Sequence, residues 1–198
     1  MKRCFKAGRM AVALAIIAVF ESRGTNGTWA NSAGGSWGNG ANWFGNVIAS
    51  GADFTADFSA LDITATGAIT LDGARTIGNL VFGDVSTPDT DRTLDAGSGG
   101  PLTLAVNSGW PTITVSNRTA TINAVLAGSS GLAKAGEGTL VLSAGTNTFT
   151  GGTTVLGGRL AMGSFQGLVY GTVTVNAGAA FDMHGYCALG NPRWSGLS

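Results

Sequence analysis

Residues 131–163, GLAKAGEGTLVLSAGTNTFTGGTTVLGGRLAMG, carry the fold in their spacing. Gly131, Gly151 and Gly171 stand 20 residues apart, and Gly138, Gly158 and Gly178 repeat the same step. Ile113, Ala133, Thr153 and Val173 share one column, and Val115, Ala135, Val155 and Val175 another. Between them runs Thr114, Lys134, Thr154 and Thr174, polar throughout. Alternation of this kind is a strand signature, with side chains pointing inward, outward and inward once per block. A further column holds Phe82, Leu102, Ile122, Leu142 and Met162. Two residues earlier lie Leu80, Ala120, Leu140 and Leu160, with Gly100 as the exception.

A position that stays apolar at a fixed period implies that equivalent residues stack on one another. In a β-solenoid each coil adds one strand per face at about 4.8 Å, and like residues form internal ladders. The glycine columns are expected at the corners, where the backbone takes conformations closed to residues with a Cβ. An antiparallel sandwich also has short strands at similar spacing, but nothing in it enforces one register over successive blocks. The expected class is all-β, a right-handed parallel β-helix (β-solenoid) with coils of about 20 residues, the hand following the default for parallel crossovers. Expected boundaries are a signal segment at 1–27, a Trp/Gly-rich cap at 28–61, the solenoid at 62–183 and an irregular tail at 184–198.

Composition agrees. Glycine supplies 33 of 198 residues, 44% of residues are apolar and only 11% are charged. Thr, Val, Ile and Leu runs between Gly, Asn and Ser favour strands, and the apolar fraction is enough to offset the entropy of ordering. The zero formal charge hides an asymmetry, because Lys2, Arg3, Lys6, Arg9 and Arg23 all fall in the first 23 residues. The remainder is mildly acidic and has no Lys/Arg cluster, which argues against nucleic acid as a partner. The basic start followed by the apolar run Met10–Phe20 reads as a secretory signal, too short to span a bilayer as a helix. Small residues place cleavage after Gly24, Gly27 or Ala30. Cys4 would leave with the signal, so Cys187 would have no partner for an intramolecular disulfide.

The Gly131–Gly163 stretch resembles the autotransporter-associated β-strand repeat, whose usual form is close to G-L-T-K-x-G-x-G-T-L-x-L-S-G-x-N-T-Y-T-G-G-T-T-V-x-x-G-T-L. The spacing of Trp29, Trp37 and Trp43 in TWANSAGGSWGNGANWFGN resembles the N-terminal region of such proteins. RTIGNLVFGD, from Arg75 to Asp84, looks like a first coil, so the resemblance covers about residues 28–183. It implies a secreted or cell-surface passenger segment, structural or adhesive, facing surface polysaccharide or a host or neighbouring cell. The C-terminal barrel or anchor that an autotransporter needs is expected to lie outside this stretch of sequence. The tail from His184 (HGYCALGNPRWSGLS) also drops the period, so a longer reading frame is expected.

Candidate chemistry is sparse. His184 is the only histidine, and neither a Ser–His–Asp set nor a metal pair with Cys187 has support in the spacing. Asp84, Asp89, Asp91 and Asp95 form an acidic loop in which Asp89 and Asp91 could face a hard cation, but the loop lacks the glycine and twelfth-position glutamate of a calcium loop. A solvated insertion between coils is the preferred reading, and no metal, cofactor or catalytic residue is expected. A polysaccharide-cleaving solenoid, the alternative enzyme class, needs paired ionisable groups on neighbouring coils. Lys134, Glu137, Arg159 and Asp182 fall in different columns, with Lys134 and Glu137 expected to make an exposed contact at a corner. Trp29, Trp37 and Trp43, beside Phe44, could close the open end of the solenoid or offer a stacking surface for sugars.

Overall fold

The computed structural model describes residues 24–86, 90–168 and 171–184. Their strands are short and come in successive coils. The first coil holds β1 (Gly27–Thr28) and β2 (Gly35–Ser36), and the second β3 (Gly51–Phe58) and β4 (Ala68–Thr70). Next come β5 (Arg75–Phe82), β6 (Arg92–Asp95) and β7 (Leu102–Leu104), then β8 (Thr112–Val115), β9 (Thr119–Ile122) and β10 (Leu126–Ala127). β11 (Leu132–Ala135) with β12 (Thr139–Leu142), β13 (Thr153–Val155) with β14 (Arg159–Met162), and β15 (Val173–Val175) with β16 (Ala180–Asp182) complete the stack.

One sheet runs β1-β3-β5-β8-β11-β13-β15 and the other β2-β4-β6-β9-β12-β14-β16. Every ladder in both is parallel. A third, shorter ladder joins the start of β5 to β7 and β10. It continues through backbone bonds from Thr148 to Leu126 and from Thr150 to Gly128. The chain is therefore a parallel β-solenoid, and its two sheets enclose one apolar core from Trp29 to Leu168.

The sheets begin earlier than expected. β1 and β3 bond into the first sheet and β2 into the second, so residues 27–58 belong to the same stack as the coils from residue 62 onward. Coil length also varies. Leu80 pairs with Ile113 and Phe82 with Val115, while Leu94 pairs with Ile122. The expected Phe82–Leu102–Ile122 column therefore does not exist. Phe82 belongs to the first sheet, Leu102 to the third ladder and Ile122 to the second sheet. The loops of 83–91 and 96–101 lengthen the earlier coils, and equal spacing in sequence stops meaning equal position in space.

In the second sheet the 20-residue step holds, with Ala120, Leu140 and Leu160 in one register. In the first sheet it fails between β8 and β13 and returns between β13 and β15, where Val155 pairs with Val175. Ile113 pairs with Lys134 and Lys134 with Val155, two steps of 21. Lys134 thus points inward, into the Ile113–Val155 ladder and not outward as its column predicted, and it is fully buried. Ala133 and Ala135 move to the outward rows beside Thr112, Thr154 and Thr114. The corner causes the slip: Ile113 to Thr119, Lys134 to Thr139 and Val155 to Arg159 are steps of six, five and four residues. Each coil reaches the second sheet in one residue fewer, so the first-sheet strand slides by one against its neighbour.

Candidate functional site

The N-terminal coil brings the three sequence-predicted tryptophans together. A short 3₁₀ turn at Gly40–Asn42, capped by the Asn39 side chain on the Ala41 N–H at 3.1 Å, leads into Trp43. Trp29 and Trp43 form an isolated antiparallel bridge. Their rings meet edge-on at 5.0 Å, Trp37 meets Trp43 at 5.4 Å, and Phe58 touches all three before stacking on Phe82 at 5.2 Å. Aromatic pairs in this geometry add about 0.5–1.5 kcal/mol each beyond simple burial. Each indole N–H donates to a carbonyl, Trp29 to Asn31, Trp37 to Ala49 and Trp43 to Trp37. All three rings are buried, so sugar stacking on them would require this coil to open, whereas Phe44 beside them is exposed.

The acidic loop does not converge. Asp84 is buried, its Oδ1 accepting from the Ile63 N–H at 3.3 Å, and Asn117 grips its backbone from both sides. Asp91 accepts from the Thr119 N–H and faces Arg118 at 3.9 Å, while Asp95 accepts from Asn123 Nδ2 at 2.6 Å. Asp89 lies outside the described residues. Arg92 lies inward on β6, with Nη1 donating to the Ser32 carbonyl at 3.4 Å. Burial lowers its pKa, partly offset by Asp84. Among the described residues, no three His, Cys, Asp or Glu side chains are placed to hold a metal ion.

The remaining ionisable residues are structural in geometry. Lys134 Nζ donates to the carbonyls of Ala135 at 3.0 Å, Gly136 at 2.8 Å and Gly157 at 3.0 Å. It thereby ties two consecutive corners together instead of making the expected exposed contact. Gly136 turns this corner with φ 79°, a backbone that a Cβ would strain. Burial pushes the Lys134 pKa down to about 8, against the pull of Glu137. Arg159 pairs with Asp182, whose other oxygen accepts from the His184 N–H at 2.8 Å. His184 Nδ1 also lies 3.0 Å from the Met162 carbonyl. This cluster spans β14, β16 and the residues just after β16. Cys187 lies outside the described residues.

Two features escaped the sequence reading. Asn147 is buried and bridges three coils, its Oδ1 accepting from the Leu126 N–H and its Nδ2 donating to the Gly167 carbonyl, both at 2.8 Å. Trp110 is 44% exposed at the entry to β8. An aromatic beside Pro111 in the otherwise polar loop NSGWP was the signal available for it.

Known proteins match this arrangement. The family described as passenger-associated-transport-repeat matches residues 132–162, the run from β11 through β14 that supplies two rungs to each sheet. Over 146 residues, 74% of its length, the chain is 35% identical to the adhesin BmaC autotransporter of Brucella suis biovar 1 (strain 1330). It spans 4% of the length of that relative. No solved structure gives a significant match. The chain is thus a parallel β-solenoid whose residues 132–162 match the passenger-associated transport repeat and which is similar over most of its length to a small part of an autotransporter adhesin.

Proposed function

We propose that the chain is an adhesive and structural segment of an exported surface protein, working through its outer faces and not through catalysis. The passenger-associated transport repeat running through β11–β14 within one continuous apolar stack carries this reading. A solenoid of this kind displays long, stiff rows of outward side chains, while its interior is closed to substrate. Glycosidic cleavage needs two positioned ionisable groups. Lys134 is instead engaged with three carbonyls, and Asp182 with Arg159 and His184. The named role of the Brucella relative as an adhesin supports the same reading.

Export removes the basic, apolar N-terminus in this proposal, with cleavage best placed after Gly24. Thr25 exchanges two backbone bonds with Ser50, and Gly27–Thr28 forms β1, so cleavage after Ala30 would strip the first rung and Trp29. The test expresses the full chain in a Gram-negative host, determines the N-terminal mass of the exported product and measures its retention on cell monolayers. A product beginning at Thr25 that coats beads and binds cells is expected. An uncleaved cytoplasmic chain, or beads that bind no better than albumin-coated ones, would refute it.

A further inference from the structure

Trp110 differs from the three tryptophans of the N-terminal coil in burial, seating and hydrogen bonding. The benzene half of its indole lies against the backbone of two successive coils. A Cβ added at Gly131 would come within 2.9 Å of the ring, and one at Gly152 within 3.4 Å. Ring and glycines are matched, because any side chain at Gly131 would displace the indole or meet the Gly152 carbonyl at 2.5 Å. The Trp110 carbonyl accepts from the Thr112 hydroxyl at 3.3 Å, which steadies the loop. Nearly half of the residue nevertheless remains in water. Its Nε1–H meets no protein acceptor among the described residues, whereas the indole N–H groups of Trp29, Trp37 and Trp43 all do. One hydroxyl flanks the platform, Thr172 Oγ1 lying 3.3 Å from the Cβ position of Gly152, and the backbone of Ser130 lies against Gly151.

We propose that Trp110, seated on Gly131 and Gly152 and flanked by Thr172 and Ser130, is a binding platform for a neutral β-linked pyranose chain. Such sugars carry an apolar C–H face and equatorial hydroxyls at the rim. The indole offers a rigid apolar surface with a polar handle, the combination that makes tryptophan an anchor at interfaces. The Thr172 hydroxyl and the free N–H can reach the rim of the ring. None of the residues named at the platform is ionisable, which suits a neutral ligand, since an acidic one would need a cation to meet its carboxylates. The successive coils run past the ring like a track, so a polymer could lie along the outward threonine row Thr112–Thr154–Thr174, which Ala133 interrupts. This inference names a partner for the adhesive reading and rests on it only for its biological setting.

The test uses the purified chain with Trp194→Phe, so that Trp110 is the exposed emitter among the described tryptophans. It is titrated with cellopentaose and with xylopentaose. Binding should shift the emission to the blue, lower acrylamide quenching severalfold, and weaken at least tenfold in Trp110→Ala. Trp110→Phe should keep part of the affinity, and Thr172→Ala, which leaves the seat intact, should weaken it by a smaller factor. Unchanged emission with both oligosaccharides, or equal retention of the parent and Trp110→Ala on the same sugar column, overturns the platform. Oligosaccharide binding without cell adhesion would support the platform and count against the adhesive reading. Adhesion that Trp110→Ala leaves intact, together with no response to either sugar, would do the reverse.

Discussion

At the scale of single residues, Lys134 shows how a charge can be held inside an apolar ladder. Its four-carbon stem fills the space between Ile113 and Val155, and its ammonium reaches a corner where three carbonyls converge. The folded-state pKa of about 8 lies below the ordinary lysine value of 10.5, so between these two values the unfolded chain binds the proton more readily than the native one. Stability therefore rises with pH across that window, by roughly 1–3 kcal/mol at most. Urea unfolding of the wild type and of Lys134→Met at pH 7 and pH 10 should show the wild type gaining on the variant as pH rises. A constant difference, or one that narrows, would mean that the three carbonyls hold the proton more firmly than burial expels it. Asp72 shows the opposite direction at the surface: the Thr70 hydroxyl first, then Ser36 and the Ser98 N–H, keep its carboxyl below the ordinary aspartate value.

At the scale of elements, neighbouring coils are joined by side chains that stand in for backbone. Asn147 replaces a ladder bond on each side, reaching from β10 to the loop after β14. Asn117 does the same for Asp84, Asn79 for Thr112 and Asn26 for Thr55. Asparagine suits this because one short amide carries both donor and acceptor. Asn147→Leu leaves the buried Leu126 N–H and Gly167 carbonyl without partners, a cost of about 2–4 kcal/mol. Thermal melts should show that loss, and hydrogen exchange should speed up at Leu126 in β10 well before it changes in β3 or β5. A melting temperature within a degree of wild type would show that water replaces the amide without penalty.

At the scale of the whole molecule, the stack is uneven from end to end. The N-terminal coil is closed by buried tryptophans, whereas Val175 on β15 is exposed and Ala180 on β16 faces solvent. Nearest-neighbour coupling makes a coil with less buried apolar surface the first to open. Native-state hydrogen exchange should place β15 and β16 lowest in protection, β13 and β14 next, and β5, β8 and β9 highest. Uniform protection along the stack would instead indicate a single cooperative unit.

The sequence by itself determined the class of fold and the kind of chain. A 20-residue period with alternating strands can be satisfied only by coils in register, and the second sheet keeps that period from Ala120 to Leu160. The passenger-type repeat was equally legible, because it depends on residue type and spacing alone, whereas the pairing of Arg159 with Asp182 on neighbouring coils was not. The register of the first sheet, the inward turn of Lys134 and Arg92, and the seating of Trp110 on two glycines were decided only in the tertiary structure. Corner lengths set these features. One residue removed from a corner slides the adjoining first-sheet strand by one and flips its side chains to the other face, and sequence periodicity cannot tell a shortened corner from an unshifted strand.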